Sequence, residues 1–550
     1  MTELLSLWRF PLDRVGISTA QKVAAEQPNC SVTITFTTDF SAMTIYNYGA
    51  SKPEPVPGGS SVVNSSALSY MLAKMSAASP IGGLAFIPQA EFPINADSFS
   101  VPDQCNIVGS AGGGSAGKNQ TPFYHFMIDY NYTDGSIFLK CSGDSTSGGK
   151  CFRSLAFFGM NIGGAGDTCI HAGTENCRAI NCTFTDIPTA FNAQGDGCML
   201  EQSTIFYAAT QTGTKAIIIA GAQCGVLGPA EIDQQSQNPG PANCTAISIE
   251  GAEHTLVAEV HLSDWNIGID FSQAAGAQHT HIRNISVQSW QNALRIQLPT
   301  NAGASTAGIK VTSSYLAKSN VTTVTDPVVL IDPQGNSNAK LSDITLLECT
   351  VINTAASSGV QYGLQIVGGT NIKIIGGTYS NNGTHGGAGI AITGACGDVQ
   401  IIGANVQPSY PWSAIQNSQQ YGLLVTAAPA GTVYVADCDL TGYGTGQQAV
   451  EVTVPLTSGQ LAIYNCPGYN DKDTSLNGGV APTHATSASS CTTPYFGPSV
   501  FVFVNPSGQP VRLHVFGQVM SQSFGIIFLP SPYDSFYFET APSAFSWIGT

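Results

Sequence analysis

The sequence predicts an all-β protein built as a right-handed single-stranded parallel β-helix, and three observations carry that prediction. Only 10% of the 550 residues are charged and 60 are glycine, a composition that favours strands and tight turns over helices. A phrase recurs from about residue 100 to about residue 470: an alternating strand, a Gly or Asn turn, and a second strand. The phrase also has a regular period. We therefore expect a solenoid of short strands.

Two tryptophan-containing segments set this period. "SDWNIGIDF" and "QSWQNALRI" align at an offset of 25 residues (290 − 265), which places Trp265 on Trp290 and His254 on His279. Alternating strands at a period in the twenties are typical of a coil in which like residues stack at about 4.8 Å. A leucine-rich repeat is the alternative, but its L-x-x-L-x-L-x-x-N phrase does not occur. The paired histidines would form a turn ladder or contact a ligand.

The two ends of a β-helix need caps. Before the repeats, Asn64 is expected to cap a short helix from about Ser65 to Ala77, and the strand "GLAFIP" follows. After the repeats, "SVFVFV" and "VRLHVF" flank the turn "NPSGQP", which predicts a small antiparallel module. The predicted divisions are an N-terminal segment, a β-helix with its cap and binding face, and a C-terminal β module, at 1–45, 46–480 and 490–550.

Charge and hydropathy exclude several functions. The net charge is −16, with 19 Lys and Arg against 35 Asp and Glu, so no nucleic acid partner is expected. No apolar run approaches the roughly 20 residues of a membrane helix, so no membrane insertion is expected either. The N-terminus, "MTELLSLWRFPLDRVG", lacks the basic and apolar regions of a signal peptide.

The 15 cysteines form neither a CxxC motif nor a zinc-ligand pattern. Several lie in strand-like segments such as "CRAINCTF" and "ADCDL". We expect small, reduced core residues there. No metal and no cofactor is predicted.

The N-terminal cap resembles a known module. Tyr48-Gly49-Ala50, a short helix and "GGLAFIP" are similar to the capping module of the pectate-lyase-like superfamily over about 50 residues. The sequence departs from that pattern at Asn64-Ser65-Ser66, where acidic residues are usual, and at Gln89-Ala90-Glu91-Phe92, which replaces a Gly-containing turn. The resemblance implies a β-helix and leaves the chemistry open.

The aromatic C-terminal segment resembles the β module of trimeric bacteriophage tailspikes. Together with the coil and the low charge, this implies a tailspike-type depolymerase in the virion that acts at the bacterial cell surface. Its implied partners are a bacterial polysaccharide, two further copies of the chain in a homotrimer, and a phage tail or baseplate protein. Residues 1–45 would be the virion-facing segment.

Carboxylates are the candidate catalytic groups. Glycoside hydrolysis uses two carboxylates about 5–5.5 Å apart for retention of configuration, or about 6.5–9.5 Å apart for inversion. In "AEIDQ" and "AEVHL" the apolar residues alternate inward, which puts the acids and His261 on the outer face. In "GIDF" the same alternation points Asp270 outward. The catalytic candidates are Glu231, Asp233, Glu259, Asp264 and Asp270.

Other side chains are candidates for binding the sugar. Trp265, next to a turn, would be a stacking platform for a sugar ring or would stack on Trp290. Arg295, at the position equivalent to Asp270, would be its outward neighbour and would tune it or form a plain surface ion pair. The substrate-binding candidates are His261, Trp265, Trp290, Arg283, Arg295 and Lys318.

Hydrolysis is therefore the expected reaction, and other functions remain open. A polysaccharide lyase would use His261 or Lys318 as the base with Arg295 at the uronate. A non-catalytic adhesin would only grip the sugar. A cellular pectinase-like enzyme ranks lower without a signal peptide. The Asn-Thr-Asp, Asp-Asp and Gly-His-Gly set of polygalacturonases and the calcium-binding aspartate run of pectate lyases are both absent.

Overall fold

The computed structural model describes most of residues 91–469, the elements at 31–34, 43–46, 61–77 and 83–87, and strands between 490 and 549. The chain divides into two compact units, Met1–Ser286 and Val287–Thr550. Tyr48-Gly49-Ala50 and most of 1–45 lie outside the described residues. The gaps within 91–469 are 110–123, 142–148, 208–210, 235–241, 273–275, 301–302, 320–324, 337–339, 354–360, 384–385, 411–417, 444–446 and 458–459.

Among its described residues, the first unit contains helix α1 (Ser61–Ala77) and twenty-one strands. The strands are β1 Ser31–Ile34, β2 Met43–Tyr46, β3 Gly83–Ile87, β4 Phe92–Asn95, β5 Phe99–Val101, β6 Cys105–Gly109, β7 Phe126–Asp129, β8 Ile137–Cys141, β9 Lys150–Arg153, β10 Ala156–Met160, β11 Thr168–Ala172, β12 Cys177–Ile180, β13 Thr183–Thr185, β14 Thr189–Ala193, β15 Met199–Glu201, β16 Thr204–Tyr207, β17 Lys215–Ile219, β18 Gly225–Gln234, β19 Thr245–Ile249, β20 Leu256–Asp270 and β21 His281–Arg283.

Each turn of the chain in this unit adds one strand to each of three parallel sheets, which confirms the predicted parallel β-helix. Sheet I contains β3, β6, β9, β12, β15, the start of β18, the start of β20, and β21. Sheet II contains β4, β7, β10, β13, β16, the end of β18 and the middle of β20. Sheet III contains β5, β8, β11, β14, β17, β19 and the end of β20.

The core of the first unit consists of ladders of identical side chains. Phe157 stacks on Phe126 and Phe184, with ring centroids 5.6 and 5.1 Å apart. All three rings are buried, and each contributes about 1.5–3 kcal/mol by leaving water. The turns form ladders too: His254 and His279 stack with centroids 5.0 Å apart and an interplanar angle of 12°. Both have φ near +55°, so these histidines form a turn ladder, which is one of the two alternatives that the sequence left open.

Helix α1 begins four residues earlier than expected, and this corrects the role given to Asn64. Asn64 lies inside the helix and is buried, and its Nδ2 donates to the carbonyl of Pro93 at 3.0 Å. It therefore ties the helix to β4 instead of capping it. Among the described residues, no helix combines the length and hydropathy needed to cross a membrane.

The second unit repeats the three-sheet arrangement. Its coil strands are β22 Ser286–Gln297, which starts on the last residue of the first unit, and β23 Thr306–Thr312, β24 Tyr315–Lys318, β25 Val329–Asp332, β26 Leu341–Leu347, β27 Thr350–Asn353, β28 Tyr362–Ile366, β29 Thr370–Ile375, β30 Thr378–Ser380, β31 Ala388–Ile392, β32 Val399–Ile402, β33 Tyr421–Val425, β34 Val433–Ala436, β35 Gln448–Val452 and β36 Leu461–Tyr464.

Its three sheets are again parallel. Sheet IV contains β23, β26, β29, β32, β34 and β36. Sheet V contains β24, β27 and β30. Sheet VI contains the end of β22, β25, β28, β31, β33 and β35. Buried amides satisfy one another at a corner of this coil: Gln419 accepts from Asn382 at 3.0 Å and donates to the Tyr443 hydroxyl at 2.9 Å.

The C-terminal strands are antiparallel, as expected, but their pairing corrects one prediction. They are β37 Ser490–Thr492, β38 Ser499–Val504, β39 Val511–Val515, β40 Gln518–Gln522, β41 Phe524–Leu529, β42 Ser535–Phe538 and β43 Ala544–Gly549. "SVFVFV" (β38) pairs with β41 and β43, whereas "VRLHVF" supplies β39, which pairs with β40 and β42. The expected hairpin of β38 with β39 is wrong, because both edges of β38 are already hydrogen-bonded to other strands.

The described cysteines are reduced and almost all lie in the core, as the sequence predicted. All thirteen are free thiols, and Cys151 alone among them is more than slightly exposed. Thiols of successive turns lie against one another, with Sγ of Cys141 3.5 Å from Sγ of Cys177. Burial raises the pKa of Cys182 to about 12 and that of Cys349 to about 11.

Candidate active site

Glu231 and His261 are neighbours on the outer face of sheet II. They are register partners between β18 and β20, one step before Ile232 and Leu262. Both apolar residues are fully buried, so alternation turns Glu231 and His261 outward. Adjacent strands put their backbones about 4.8 Å apart. The sequence predicted an outward position for each residue, and sheet II makes them partners.

Glu259 adds an exposed carboxylate two residues before His261, whereas Glu231 is half-buried. It lies at the corner between sheets I and II, with φ of 58°, and its side chain is exposed. The β18–β20 register skips between Leu227 and Ala230, and the backbone of Gly228 fills this bulge. A Cβ on Gly228 would lie 1.7 Å from the carbonyl oxygen of Glu259, so only glycine permits this approach. Glu259 is offset from Glu231 by one strand spacing across the sheet and two residues along the strand. This places the backbones of the two residues roughly 8 Å apart.

Asp233 shares the outer face with Glu231 but is covered. Its register partner on β18's other side is Phe206 of β16, and its exposed fraction is only 1%. The expectation that Asp233 faces solvent is therefore wrong, because neighbouring side chains close over that position. Asp264, half-buried, occupies a turn position with φ of 63°, a conformation that Asp and Asn tolerate better than most residues.

Trp265 belongs to the core beneath this face. Its ring is fully buried and stacks on Tyr207, with centroids 6.3 Å and planes 14° apart. Its indole Nε1 donates to the carbonyl of Ile232 at 3.2 Å. Burial raises the pKa of Tyr207 to about 12, so its hydroxyl stays protonated at neutral pH. The expectation of a solvent-facing platform at Trp265 is wrong.

Asp270 lies on sheet III, away from Glu231 and His261. It is on the outer side of its strand, as alternation predicted, yet it is buried. Its carboxylate accepts from the Ser272 amide at 2.8 Å and from the Ser272 hydroxyl at 2.7 Å. The expectation of an accessible carboxylate is wrong, because Asp270 is engaged in capping its own turn.

Sheet III also carries a polar group that the sequence did not single out. Ser248, the register partner of Asp270, donates to Glu250 at 2.8 Å, and Lys215 forms an ion pair with Glu250 at 2.5 Å. The only signal for it was the outward register of "TAISIE". Arg283 is exposed on sheet I opposite Ala258, so it too lies apart from Glu231.

The remaining candidates belong to the second unit. Arg295 is half-buried between the core residues Leu294 and Ile296, so it points outward as predicted. Trp290 is buried, and the expectation that it offers a platform to sugar is wrong. Lys318 is also fully buried, and its Nζ donates to the carbonyl of Asp326 at 2.6 Å.

Burial lowers the pKa of Lys318 to about 8. The expectation of a surface position for Lys318 is wrong, because its side chain is fully buried and its amine is bonded to the carbonyl of Asp326. Across the described ranges, no three His, Cys, Asp or Glu side chains form a group that could hold a metal ion.

No protein-family model matches the sequence, and no curated protein matches it. Among solved structures, the chain is similar to the surface protein and adhesin PfbA of Streptococcus pneumoniae, with 10% identity and a TM-score of 0.45 over 76% of this chain and 97% of that one. It is similar to DFA-IIIase from Arthrobacter chlorophenolicus A6, with 15% identity and a TM-score of 0.46 over 71% of this chain and 92% of that one.

A third similar structure is tailspike protein 3 of bacteriophage CBA120, with 13% identity and a TM-score of 0.39 over 84% of this chain and 69% of that one. At these identities and TM-scores, no activity, substrate or assembly follows for this chain.

Proposed function

We propose that the first unit binds a bacterial surface polysaccharide and hydrolyses it at Glu231 and Glu259. One observation carries this proposal: two solvent-reached carboxylates flank the exposed imidazole of His261 on one rigid strand pair. Their backbones lie roughly 8 Å apart by strand geometry, and inverting glycosidases hold their two carboxyl groups about 6.5–9.5 Å apart. The substrate class is a capsule, an exopolysaccharide or an O-antigen.

The chemistry assigns one proton transfer to each carboxyl group. One protonates the glycosidic oxygen as the bond to the anomeric carbon breaks. The other accepts a proton from the water that attacks that carbon from the opposite side. His261, beside Glu231, hydrogen-bonds a sugar hydroxyl and holds the ring in place. Both strands rest on buried apolar residues, which keeps these groups at a fixed spacing.

The test is cleavage by Glu231→Gln and Glu259→Gln variants, with Glu253→Gln as the matched control. Glu253 is an exposed acid at a turn outside the site. Each site variant should lose about 10²–10⁴-fold in rate, whereas the control should keep it. Release of reducing ends from purified capsular polysaccharide gives the rate, and proton NMR of the first product gives the anomer. Full activity in Glu231→Gln would overturn the assignment.

Two other functions are outcomes of the same experiment. A product that absorbs near 235 nm would identify β-elimination, with His261 as the base. Lys318 does not support that reaction, because its amine is buried. Retained binding without any shortening of the polymer would leave an adhesin.

We also propose that the protein acts as a homotrimeric tailspike at the outer surface of a phage particle. The antiparallel strands β37–β43 support this proposal, since β41 ("FGIIFL") is an apolar strand at the edge of the sheet in which β38 is central, and association would cover that edge. In this assignment 1–45 attaches to a tail or baseplate protein, 46–480 carries the site, and 490–550 joins the copies. Light scattering should give three times the chain mass, and a monomer would contradict the assembly.

A further inference from the structure

Two tyrosines lie together on the outer surface of sheet IV in the second unit. Tyr434 of β34 and Tyr464 of β36 have ring centroids 5.5 Å apart and planes inclined by 36°. Their exposed fractions are 37% and 41%, in a chain whose other described aromatic rings are mostly buried. An exposed pair of contacting aromatic rings costs solvation free energy, so its presence on a surface points to a ligand.

The pair is held rigidly from below. β34 and β36 are in parallel register, with Ala436 opposite Tyr464 and Tyr434 opposite Ala462. The alternating residues Val433, Val435, Leu461 and Ile463 are all buried in the coil. Alternation on two paired strands therefore fixes both rings on one side of the sheet. Such a pair is pre-organised, and binding would order little that is not already ordered.

Polar groups border the rings. Asp437 and Asn465 occupy the turns just after β34 and β36, both exposed, and Asn465 Nδ2 donates to Asp437 Oδ1 at 2.6 Å. On the neighbouring strand β32, Gln400 is the register partner of Tyr434 and is exposed. The surface thus combines two mutually inclined tyrosine rings with an exposed amide on the neighbouring strand and a carboxylate–amide pair at the turns after β34 and β36.

We propose that Tyr434 and Tyr464 form a saccharide-binding platform, separate from Glu231 and His261, that holds one pyranose unit of a polymer. A pyranose has an apolar C–H face that stacks on aromatic rings, and equatorial hydroxyls around its edge that hydrogen-bond to amides and carboxylates. Tyr434 and Tyr464 offer the first surface. Gln400, Asp437 and Asn465 offer the second.

A second copy of the chain is the competing occupant. Tyr464 continues an outward apolar column through Ala436, Ile402 and Ile375, as a protein contact would require. The charged Asp437 beside the rings argues against this, because the centre of a protein–protein interface is depleted of charge. The proposal therefore commits to sugar, and the molecular mass of the variants tests the alternative.

The saccharide-binding platform rests on the proposed polysaccharide function, but the following experiment can reject the platform independently of the catalytic assignment. The experiment uses full-length protein in the Glu231→Gln background, so that the polymer is not degraded, and affinity electrophoresis in gels cast with purified capsular polysaccharide, xanthan or dextran. Tyr434→Ala/Tyr464→Ala should raise the dissociation constant at least tenfold for any polymer that retards the parent. Tyr434→Phe/Tyr464→Phe should stay within threefold, because stacking needs the ring and not the hydroxyl.

Tyr132→Ala is the matched control, since Tyr132 is 74% exposed and lies on the first unit. It should leave retardation unchanged. Unchanged retardation of the Tyr434→Ala/Tyr464→Ala variant would overturn the platform, and so would a smaller oligomeric mass of that variant by light scattering. Loss of cleavage in Glu231→Gln with retained, tyrosine-dependent retardation would support both proposals. Cleavage that survives in Glu231→Gln would overturn the catalytic assignment alone.

Discussion

The indole Nε1 of Trp265 donates a 3.2 Å hydrogen bond to the carbonyl of Ile232, directly under the strand that carries Glu231. The link spans two adjacent turns of the coil and joins the core to the candidate site. Trp265 is thus a support of the site and has no surface open to a ligand.

The main effect of substituting Trp265 should be a lower free energy of unfolding, and the effect on sugar binding should be smaller. Trp265→Phe keeps a ring but removes the donor, so the free energy of unfolding should fall by about 1–3 kcal/mol. Trp265→Ala should cost about 3–5 kcal/mol through the cavity it leaves. Denaturant unfolding followed by tyrosine and tryptophan fluorescence checks both values. Normal stability of Trp265→Phe with lost polysaccharide binding would contradict this role and return the ring to the surface.

Lys318 should give the protein a pH-dependent stability in the alkaline range. Burial lowers its pKa to about 8 in the folded state, whereas an unfolded lysine titrates near 10.4. Between these values the unfolded chain binds more protons, so this residue's contribution to stability rises from about pH 8 to about pH 10.4. Below about pH 8 the buried ammonium carries its full cost.

Thermal melts from pH 7 to 10.5 should therefore show a smaller rise in melting temperature for Lys318→Met than for the parent protein. Lys310→Met is the control, because Lys310 is exposed on sheet IV. If the melting temperatures of the parent and of Lys318→Met changed in parallel with pH, the amine would be solvated and this prediction would be wrong.

The described thiols should be unreactive in the native protein. Burial raises the pKa of Cys169 and Cys182 above the ordinary thiol range, and most of the other described cysteines are equally enclosed. Since the thiolate is the reacting form, a disulfide reagent at pH 8 should modify Cys169, Cys182 and Cys349 at least 100-fold more slowly than in guanidinium. Rapid native labelling of Cys182, located by peptide mass spectrometry, would contradict the enclosed ladder.

Asp270 should behave as a turn cap. Asp270→Ala removes the acceptor of two hydrogen bonds from Ser272, and the free energy of unfolding should fall by about 1–3 kcal/mol. Cleavage at a temperature well below unfolding should stay within about threefold of the parent, since Asp270 lies on sheet III. Ser272→Ala, which removes one of the two bonds, should show roughly half the stability loss. A folded Asp270→Ala protein without cleavage would move the site toward sheet III.

The sequence predicted which face of a strand a side chain occupies better than it predicted whether that side chain is buried. Alternation correctly turned Ile232, Leu262 and Ile269 inward and Glu231 and His261 outward. Alternation could not distinguish Glu231, which is accessible to solvent, from Asp233, which is buried. A period of two reports only which side of the pleat a residue occupies.

The candidate site, too, was predictable from the sequence only in part. The period of 25 placed His254 on His279 and fixed the turn ladder, because each turn repeats the same backbone geometry. Pairing between Glu231 and His261 depended on a bulge at Gly228, where β18 has one residue more than β20, and no local sequence pattern indicated this bulge.

The sequence by itself thus determined the coil, its reduced core cysteines and its ladders, since all of them follow from short-range alternation and repetition. Only the tertiary structure decided that Trp265 and Lys318 are enclosed, that Asp270 caps its own turn, and that Glu231 is the register partner of His261. Burial is set by side chains one or two coil turns away, such as Tyr207, which lies two turns before Trp265, and the pattern of a single strand carries no information about them.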